Sequence, residues 1–244
     1  MKEVPLTIRP FGEKALLIEW PNEVKESILN DILAFVSSFT NKYQREWELV
    51  PAYNSVTMIS LSGAKLDFDT AKARVLEVYE KNTRSVQNER FLWKLPVCYE
   101  SDFGIDIQET AKSLDLTKEE LIKQHTSHEY TVFGIGFLPG FMYLGGLPKS
   151  LQLPRRKTPR LHVEKGSVGL AGKQTGIYPQ DSPGGWNIIG NCPVPVFDAS
   201  HEKPCFVKAG DKIQFQSISK AEYDLRKIEG EIGIYNLEKI PLDA

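Results

Sequence analysis

Glycine and proline are concentrated in one stretch of the chain, and this concentration constrains the fold more than any other feature. Residues 134–190 contain twelve of the eighteen glycines, and residues 139–195 contain eight of the fifteen prolines. Glycine lets the backbone adopt positive φ and approach a ligand closely, whereas proline fixes the surrounding loop. Between Tyr130 and Ser217, short β runs alternate with these residues without a helical period. The pattern predicts a β-barrel or sandwich whose loops form a preorganised small-molecule site, or a barrel that merely needs many turns.

The first ninety residues have a different pattern. Short alternating runs predict strands over 6–9, 15–20, 48–51 and 56–61. The apolar face of a first helix consists of Val24, Ile28, Ile32, Phe35, Val36 and Phe39. A second helix begins at an N-cap residue, Asp69, and its apolar face consists of Ala71, Val75, Leu76 and Tyr79. The order β-β-α-β-β-α predicts a small α+β sandwich domain over residues 1–90.

The remaining chain is predicted to form a barrel domain over residues 91–218 and an extension over residues 219–244. The polar stretch 81–90 is interpreted as a linker or an exposed turn, and Phe91–Val97 as the first strand of the barrel domain. Two short helices follow at about 106–114 and 118–125, the second introduced by a Thr117/Glu120 capping box. The extension is interpreted as a surface tail or a peripheral helix and strand.

The glycine-rich segment also carries a local excess of positive charge. Residues 134–190 contain seven basic residues but only two acidic ones. Such an excess favours a carboxylate or phosphate ligand, which the planar guanidinium group binds bidentately. Arg155 and Arg160 each follow a proline, so we prefer them to Arg156 and Lys157 as ligand-binding residues. An ordinary solvated basic loop is the alternative.

The chain as a whole is close to neutral. Its net charge is −2, so no overall positive field attracts nucleic acid or an anionic membrane. The three cysteines are widely spaced without a C-x-x-C motif, which favours a reducing compartment and argues against a thiolate zinc site. No run approaches the ~18–20 apolar residues of a membrane span, and no secretory signal is visible. We therefore expect a soluble cytoplasmic protein without a bound metal.

Two motifs in the glycine-rich segment are incomplete. The stretch 166–174 resembles a phosphate loop, but it ends in Gln174 instead of Ser or Thr and lies in β surroundings. Gly134-x-Gly136 lacks the third glycine and the following helix of a dinucleotide fingerprint. The sequence therefore contains no motif that locates a nucleotide.

Two histidines lie close together near a predicted helix end. His125 and His128 are three residues apart, but no nearby motif supplies a third metal ligand, so a surface or helix-terminal role is favoured. His125 alone remains a candidate acid–base or carboxylate-orienting residue. Cys192 has no local histidine partner and is interpreted as structural.

The motifs of the glycine-rich segment resemble those of one family. The matching runs include FLPGFMYLGGLP, PRRKTPR, GSVGLAGKQTGIYP and SPGGWNIIG. Further matches, including FGEKALLIEW and LPVCYESDFGIDI, extend the resemblance from about Leu6 to Ser217. The pattern resembles the Kip-inhibitor family, whose members are also called 5-oxoprolinase B subunits or allophanate hydrolase subunit 1-like proteins, with a carboxyltransferase-type domain. Departures at Glu164-Lys165 and Asn191-Cys192-Pro193 lie at the rim of the motif block.

This resemblance implies an α+β fold, in which a small amino-terminal α/β sandwich is followed by a cyclophilin-like β-barrel. It also implies two partners, the C subunit of 5-oxoprolinase (allophanate hydrolase subunit 2-like) and the A subunit. Together the three chains would convert 5-oxo-L-proline to L-glutamate at the expense of ATP, and this chain would be inactive alone. ATP, with Mg²⁺, would be used together with the partner chains.

The resemblance and the residue types together suggest roles for individual side chains. The predicted catalytic residues are His125, Arg155, Arg160 and Gln174. The predicted substrate-binding residues are Phe137, Pro139, Tyr143, Tyr178, Ser182, Gly184, Gly185 and Trp186. In this hypothesis the basic loop binds carboxylate or phosphate, and Gln174 and the tyrosines position the lactam. The backbone N–H groups of Gly184 and Gly185 serve as oxyanion donors.

A second function from a different class follows from the same family resemblance. A non-enzymatic inhibitor would bind a sensor histidine kinase, and for that it would need an exposed apolar patch instead of a recessed polar cluster. The intact basic and aromatic block favours the role in the enzyme. Peptidyl-prolyl isomerase activity would rest on fold analogy alone.

Overall fold

The structure, a computed structural model, describes residues 5–81 and 89–242. The chain divides into two compact units, the first ending at Asn88 and the second beginning at Glu89. Most of the predicted linker falls on residues 82–88, outside the described residues. No helix in the described ranges is both long and apolar enough to cross a membrane.

The first unit contains four strands and two helices in the predicted order. Its elements are β1 (Thr7–Pro10), β2 (Ala15–Glu19), α1 (Glu26–Lys42), β3 (Trp47–Ala52), β4 (Ser55–Ser60) and α2 (Phe68–Lys81). The strands are antiparallel, in the spatial order β1-β2-β4-β3. Alternate residues of β2 and β4 pack against the apolar faces of both helices in one buried core.

Three details of the predicted helices are wrong. Helix α2 begins at Phe68, so Asp69 lies in its first turn and is not its N-cap. Lys25 has an extended backbone, so α1 begins at Glu26, and Val24 lies outside the helix with 58% of its surface exposed. In α2 the buried positions are Ala71, Val75, Val78 and Tyr79, which recur every three or four residues. Leu76 lies about one quarter of a turn away from this stripe, and it is 37% exposed.

The second unit contains ten strands, three helices and a short 3₁₀ turn in the described ranges. The elements up to the 3₁₀ turn are β5 (Arg90–Cys98), α3 (Ile107–Ser113), α4 (Lys118–Thr126), β6 (Glu129–Ile135), β7 (Met142–Gly145) and the turn Lys149–Leu151. The elements that follow are β8 (Arg160–Val163), β9 (Ser167–Ala171), β10 (Gln174–Ile177), β11 (Ser182–Gly184), β12 (Asn187–Asn191), β13 (Lys212–Ile218), α5 (Lys220–Glu231) and β14 (Glu238–Leu242).

Seven of these strands close into a mixed barrel. Their order is β6-β13-β5-β12-β9-β10-β7, and β7 pairs with β6 to complete the ring. Strands β5 and β13 are parallel, and the other neighbouring pairs are antiparallel. The predicted fold class, a small α+β unit followed by a cyclophilin-like β-barrel, is confirmed.

Elements outside the barrel ring complete the second unit. Strands β8 and β11 form a separate two-stranded ribbon. The predicted capping box is present at α4, where the Thr117 hydroxyl accepts from the Glu120 amide and the Glu120 carboxylate accepts from the Thr117 amide. After the barrel, α5 begins at a second capping box formed by Ser219 and Glu222, and β14 pairs with β5. The last segment is therefore built into the second unit.

Candidate functional site

Five aromatic side chains surround a small cavity in the second unit. The cavity has a volume of about 150 Å³. Its lining residues are Phe137, Phe141, Tyr143, Arg155, Tyr178, Gly184, Gly185 and Trp186. Except for Phe141, all of them are residues that the sequence predicts as catalytic or substrate-binding. The structure thus brings these residues together at one site, while their individual roles stay predictions.

Phe141 lies at the centre of the aromatic cluster. Its ring centroid is 5.6 Å from that of Phe137, 5.1 Å from Tyr143, 5.6 Å from Tyr178 and 5.5 Å from Trp186. All four contacts have edge-to-face geometry, which is the favourable arrangement of aromatic quadrupoles. Phe141 is buried, so it fixes the positions of the rings that line the cavity. Phe137, Phe141 and Tyr143 are close together in the sequence, and this clustering is the signal that could have identified Phe141 as part of the site.

Phe137 occupies an unusual position at the rim of this cluster. Its φ angle is +69°, which is uncommon for a residue with a side chain, and 64% of its surface is exposed. Backbone strain of this kind costs about 1–3 kcal/mol and is found preferentially at functional sites. The strained backbone keeps a large apolar ring at the entrance of the cavity.

The loop that follows Pro154 contributes the cationic side chains. The Arg156 guanidinium contacts Asp106 at 2.9 Å (Nη1 to Oδ1), and the Arg160 guanidinium contacts the same oxygen at 2.5 Å (Nη2 to Oδ1). The other Asp106 oxygen accepts a hydrogen bond from the Ile188 amide at 2.7 Å. Asp106 is 3% exposed, so the carboxylate of this ion-pair network is shielded from solvent.

Arg155 differs from both neighbouring arginines. It is exposed, lines the cavity and forms no ion pair or hydrogen bond with any residue of the described ranges. Arg160, the other predicted clamp residue, does not line the cavity, because Asp106 holds its guanidinium. The arrangement leaves Arg155 available for an anionic ligand, while Arg156 and Arg160 hold the loop that carries it.

The central position of Asp106 in this ion-pair network is a feature that sequence reasoning missed. The sequence placed it at the start of a predicted short helix, and it does precede α3, although its side chain makes no capping hydrogen bond there. The two arginines that it contacts lie 50 and 54 residues further along the chain. No local pattern connects residues at that separation.

Tyr178 is a buried phenol at the floor of the site. Burial raises its pKa, although a backbone hydrogen bond from Trp186 and the charges of Arg155 and Arg160 partly offset this effect. The phenol is therefore protonated at neutral pH and can donate a hydrogen bond. Its oxygen packs against the backbone of Gly184, where any side chain would collide with it. A side chain on residue 184 would therefore have to displace the Tyr178 ring.

His125 lies elsewhere, in the core of the second unit. Its Nδ1 is 2.7 Å from the Tyr99 hydroxyl and its Nε2 is 2.9 Å from the Thr175 hydroxyl. The ring stacks on Phe215 at 4.5 Å, and burial lowers the pKa of the imidazole to about 3. Thr175 donates to the Gly169 carbonyl, so its oxygen accepts from Nε2–H and Tyr99 donates to Nδ1. The neutral ring links two buried hydroxyls, and it does not line the cavity.

Three other predicted residues also lie outside the cavity lining. Gln174 is half-buried at the start of β10, where it pairs with Ala171. Ser182 is buried at the start of β11, and its hydroxyl contacts the Pro183 carbonyl at 3.2 Å. Pro139 is exposed on the loop between β6 and β7.

Cys192 has the environment of a structural thiol. It is buried, and burial raises the pKa of its thiol to about 12. Its Sγ lies 3.7 Å from the Val194 carbonyl oxygen. A thiol in this state is a poor nucleophile at neutral pH.

Comparison with known proteins gives the chain a family. Residues 6–207 match the carboxyltransferase domain, subdomain C and D. The B subunit of 5-oxoprolinase from Bacillus subtilis (strain 168) is 35% identical over 240 residues, which cover 91% of this chain and 97% of that protein.

Two solved structures are similar in fold. The crystal structure of TTHA0988 superimposes with a TM-score of 0.74 and 29% identity, and the match covers 87% of this chain and 40% of that one. The crystal structure of Kluyveromyces lactis urea amidolyase has a TM-score of 0.80 and 16% identity over 97% of this chain and 16% of that one. At 16% identity the likeness concerns the fold alone. The matched range and the relative of nearly equal length together place the chain in the carboxyltransferase family, as subdomain C and D, alongside the B subunits of 5-oxoprolinase.

Proposed function

We propose that this chain is the B subunit of an ATP-dependent 5-oxoprolinase, which converts 5-oxo-L-proline to L-glutamate and needs the partner C and A subunits for activity. The observation that carries the proposal is the aromatic cavity of about 150 Å³, whose lining includes the Arg155 guanidinium. This guanidinium has no ion-pair partner in the described ranges. Three relatives that are called B subunits of 5-oxoprolinase support the proposal, with identities of 35–38%.

The cavity suits the shape and charge of this substrate. 5-Oxoproline is one five-membered lactam ring with one carboxylate, and the cavity is smaller than the ~300–1,000 Å³ of drug-sized pockets. The aromatic rings provide an apolar surface for the lactam ring. Arg155 supplies a planar fork for the carboxylate. Because the other two arginines of the loop are held by Asp106, we propose Arg155 as the anion clamp and Arg160 as a positioning residue.

Ring opening needs stabilisation of the lactam oxygen, where negative charge develops during attack on the amide. The protonated Tyr178 phenol, the Tyr143 hydroxyl and the backbone of Gly184 and Gly185 surround the same small volume. Donors that are fixed before the reaction stabilise such charge without reorganisation. We assign these groups to the lactam and assign His125 to packing, because its imidazole lies in the core.

The residues of the aromatic cavity do not fit a complex of ATP with Mg²⁺. Its lining contains no acidic side chain, whereas Mg²⁺ is usually held by one or two carboxylates together with phosphate oxygens. In the described ranges no three His, Cys, Asp or Glu side chains come together in a geometry that could hold a metal. We therefore propose that ATP is held with the help of the partner chains, and we assign no step of phosphoryl transfer to this chain.

Reconstitution tests the proposal. The chain is co-purified with the products of the neighbouring genes, and glutamate release from 5-oxoproline is measured with and without ATP. We expect ATP-dependent glutamate release from the complex and none from this chain alone. A complex that contains this chain but releases no glutamate would refute the assignment.

One surface favours the kinase-inhibitor function as a second candidate. Leu225, Ile228 and Ile232 recur at helical spacing on or just after α5, and they are 52%, 58% and 63% exposed. An exposed apolar stripe of this kind is typical of an interaction surface. The test is inhibition of histidine-kinase autophosphorylation by the purified chain. Inhibition that is lost in Ile228→Asp, with glutamate release by the complex unchanged, would support this function.

A further inference from the structure

A second and larger cavity lies beside the aromatic cavity. Its volume is about 360 Å³, within the ~300–1,000 Å³ of ligand pockets. The ribbon strand β8, the loop after it, the end of β12 and α5 all contribute to its walls. Tyr178 lines both cavities, so they adjoin at this side chain. Helix α5, which follows the family-matched range of residues 6–207, forms one wall of this cavity.

A fixed network holds the floor of this cavity. The Asn191 side chain donates to the Lys165 carbonyl at 3.0 Å and accepts from the Tyr223 hydroxyl at 3.0 Å. It thereby joins the loop after β8, the end of β12 and α5. Gly166 has a φ of +83°, and a side chain there would collide with Asn191 and with the Cys192 carbonyl. A ligand would therefore meet a preformed floor, which lowers the entropic cost of binding.

Four of the five Asp, Glu and Lys side chains that line the cavity are not neutralised by ion pairs, and the fifth, Asp181, lies 4.0 Å from the His162 imidazole. Lys165, Lys227, Glu164 and Glu231 all line the cavity, and none of them forms a side-chain ion pair within the described ranges. Lys227 and Glu231 are one helical turn apart on α5, a spacing at which opposite charges can pair. The adjacent Arg226 and Glu229 do pair, at 2.8 Å. Such charges of both signs around one cavity are complementary to a zwitterion.

The two cavities differ in the charge that they accommodate. The aromatic cavity offers one guanidinium and no acidic side chain, which suits a monoanionic lactam. Ring opening breaks the C–N bond, adds the elements of water, and converts the neutral lactam nitrogen into an ammonium group beside the carboxylates. Such a product has no carboxylate partner for its ammonium group in the aromatic cavity, whereas acidic and basic side chains stand on the far side of Tyr178.

We propose that the cavity formed with α5 is a binding site for a zwitterionic α-amino acid, and that L-glutamate occupies it. The choice of L-glutamate rests on the proposed function, whereas the ligand class rests on the charges of the cavity. The lysines bind the carboxylates and the glutamates bind the ammonium group. Occupancy of this site removes the product from the aromatic cavity.

Calorimetric titration of L-glutamate into the purified full-length chain tests this site. We expect binding of one molecule per chain, weakened roughly tenfold or more by Lys227→Gln and by Glu231→Gln. The matched controls Lys112→Gln and Asp224→Asn remove the same charges from exposed positions outside the cavity and should leave the affinity unchanged. Lys165→Gln gives a second test in a different wall if either α5 variant fails to fold.

The alternative outcomes separate this proposal from the proposed function. Absence of glutamate binding, or binding that is weakened by Arg155→Ala but not by the α5 variants, would overturn the second site. Glutamate binding with the expected variant pattern, in a complex that releases no glutamate from 5-oxoproline, would confirm the amino-acid site and refute the enzymatic assignment.

Discussion

The phenol oxygen of Tyr178 packs against the Cα of Gly184, in the space where a side chain on residue 184 would begin. We therefore expect Gly184→Ala to displace Tyr178 from the floor of the aromatic cavity. Overpacking of this kind destabilises a protein by about 1–3 kcal/mol. Glutamate release by the complex should fall about tenfold or more, because a cavity of about 150 Å³ leaves little room for the displaced ring.

The neighbouring glycine provides the control for this prediction. A side chain on Gly185 would meet the Pro159 ring at 3.7 Å, which is an ordinary van der Waals distance. Gly185→Ala should change stability by less than about 1 kcal/mol. Urea unfolding and the glutamate assay compare the two variants. Equal effects of both substitutions would show that the contact with Tyr178 is not the cause of the Gly184→Ala effect.

Asp106→Asn should destabilise the chain by about 3 kcal/mol. The substitution leaves two guanidinium groups without their shared carboxylate, and breaking a buried pair costs ~3–5 kcal/mol. The expected loss lies at the lower end because the side chains of Arg156 and Arg160 are 27% and 25% exposed. Urea unfolding at neutral pH measures the change.

The control for Asp106 is Glu109→Gln. Glu109 contacts the same Arg156 guanidinium at 3.2 Å, but its side chain is 70% exposed. Exposed pairs contribute ~0–1 kcal/mol, so we expect little effect on the free energy of unfolding. A loss of stability as large as that of Asp106→Asn would contradict the central position of Asp106 in the network.

Arg155→Ala should lower kcat/KM for 5-oxoproline about 10–100-fold without unfolding the chain. The exposed guanidinium has no ion-pair partner in the described ranges, so its removal costs little stability, whereas a hydrogen bond to a charged ligand contributes ~1.5–3 kcal/mol. Arg155→Lys should recover part of the loss, because an ammonium group replaces the charge but not the planar fork. Lys157→Ala, a nearby exposed cation outside the cavity lining, should have no effect. Unchanged kcat/KM in Arg155→Ala would remove the proposed clamp.

The buried His125 predicts a loss of stability in acid. Burial lowers the pKa of its imidazole from 6.5 to about 3, so between these values the unfolded chain binds one more proton than the folded chain. The free energy of unfolding therefore rises with pH in this window and falls by up to ~1.4 kcal/mol per pH unit on acidification.

Comparison of variants isolates the contribution of His125. His125→Gln should weaken the pH dependence of urea unfolding between about pH 3 and pH 6.5 by the equivalent of one proton. His201→Gln changes an exposed histidine and serves as the control. If His125→Gln unfolds at neutral pH, hydrogen–deuterium exchange and imidazole titration by NMR in the unsubstituted chain measure the pKa directly. An imidazole that titrates near its ordinary value would contradict the buried environment.

The elements that could be predicted from sequence depend on residues close together in the chain. The Thr117/Glu120 capping box joins residues three apart, and it is present as expected. The helices and strands of the first unit follow from local periodicity, and the errors there concern single positions such as Val24 and Leu76. The concentration of glycine and proline indicated the segment that forms the aromatic cavity, although it did not indicate Phe141 as its centre.

The order of amino acids was sufficient to predict the α+β architecture, the segment that carries the site, and the positive charge of its loop. These predictions depend on the hydrophobic period, on the positions of glycine and proline, and on local charge. All three are properties of residues that are neighbours in the chain. Which arginine is available for a ligand depends instead on the folded chain. Asp106 lies 50 residues or more from Arg156 and Arg160, and it holds both while leaving Arg155 without an ion-pair partner in the described ranges. The same kind of long-range contact places His125 between Tyr99 and Thr175 in the core instead of at the cavity. Ion pairing and burial depend on which distant residues come into contact, and the closure of the barrel determines these contacts.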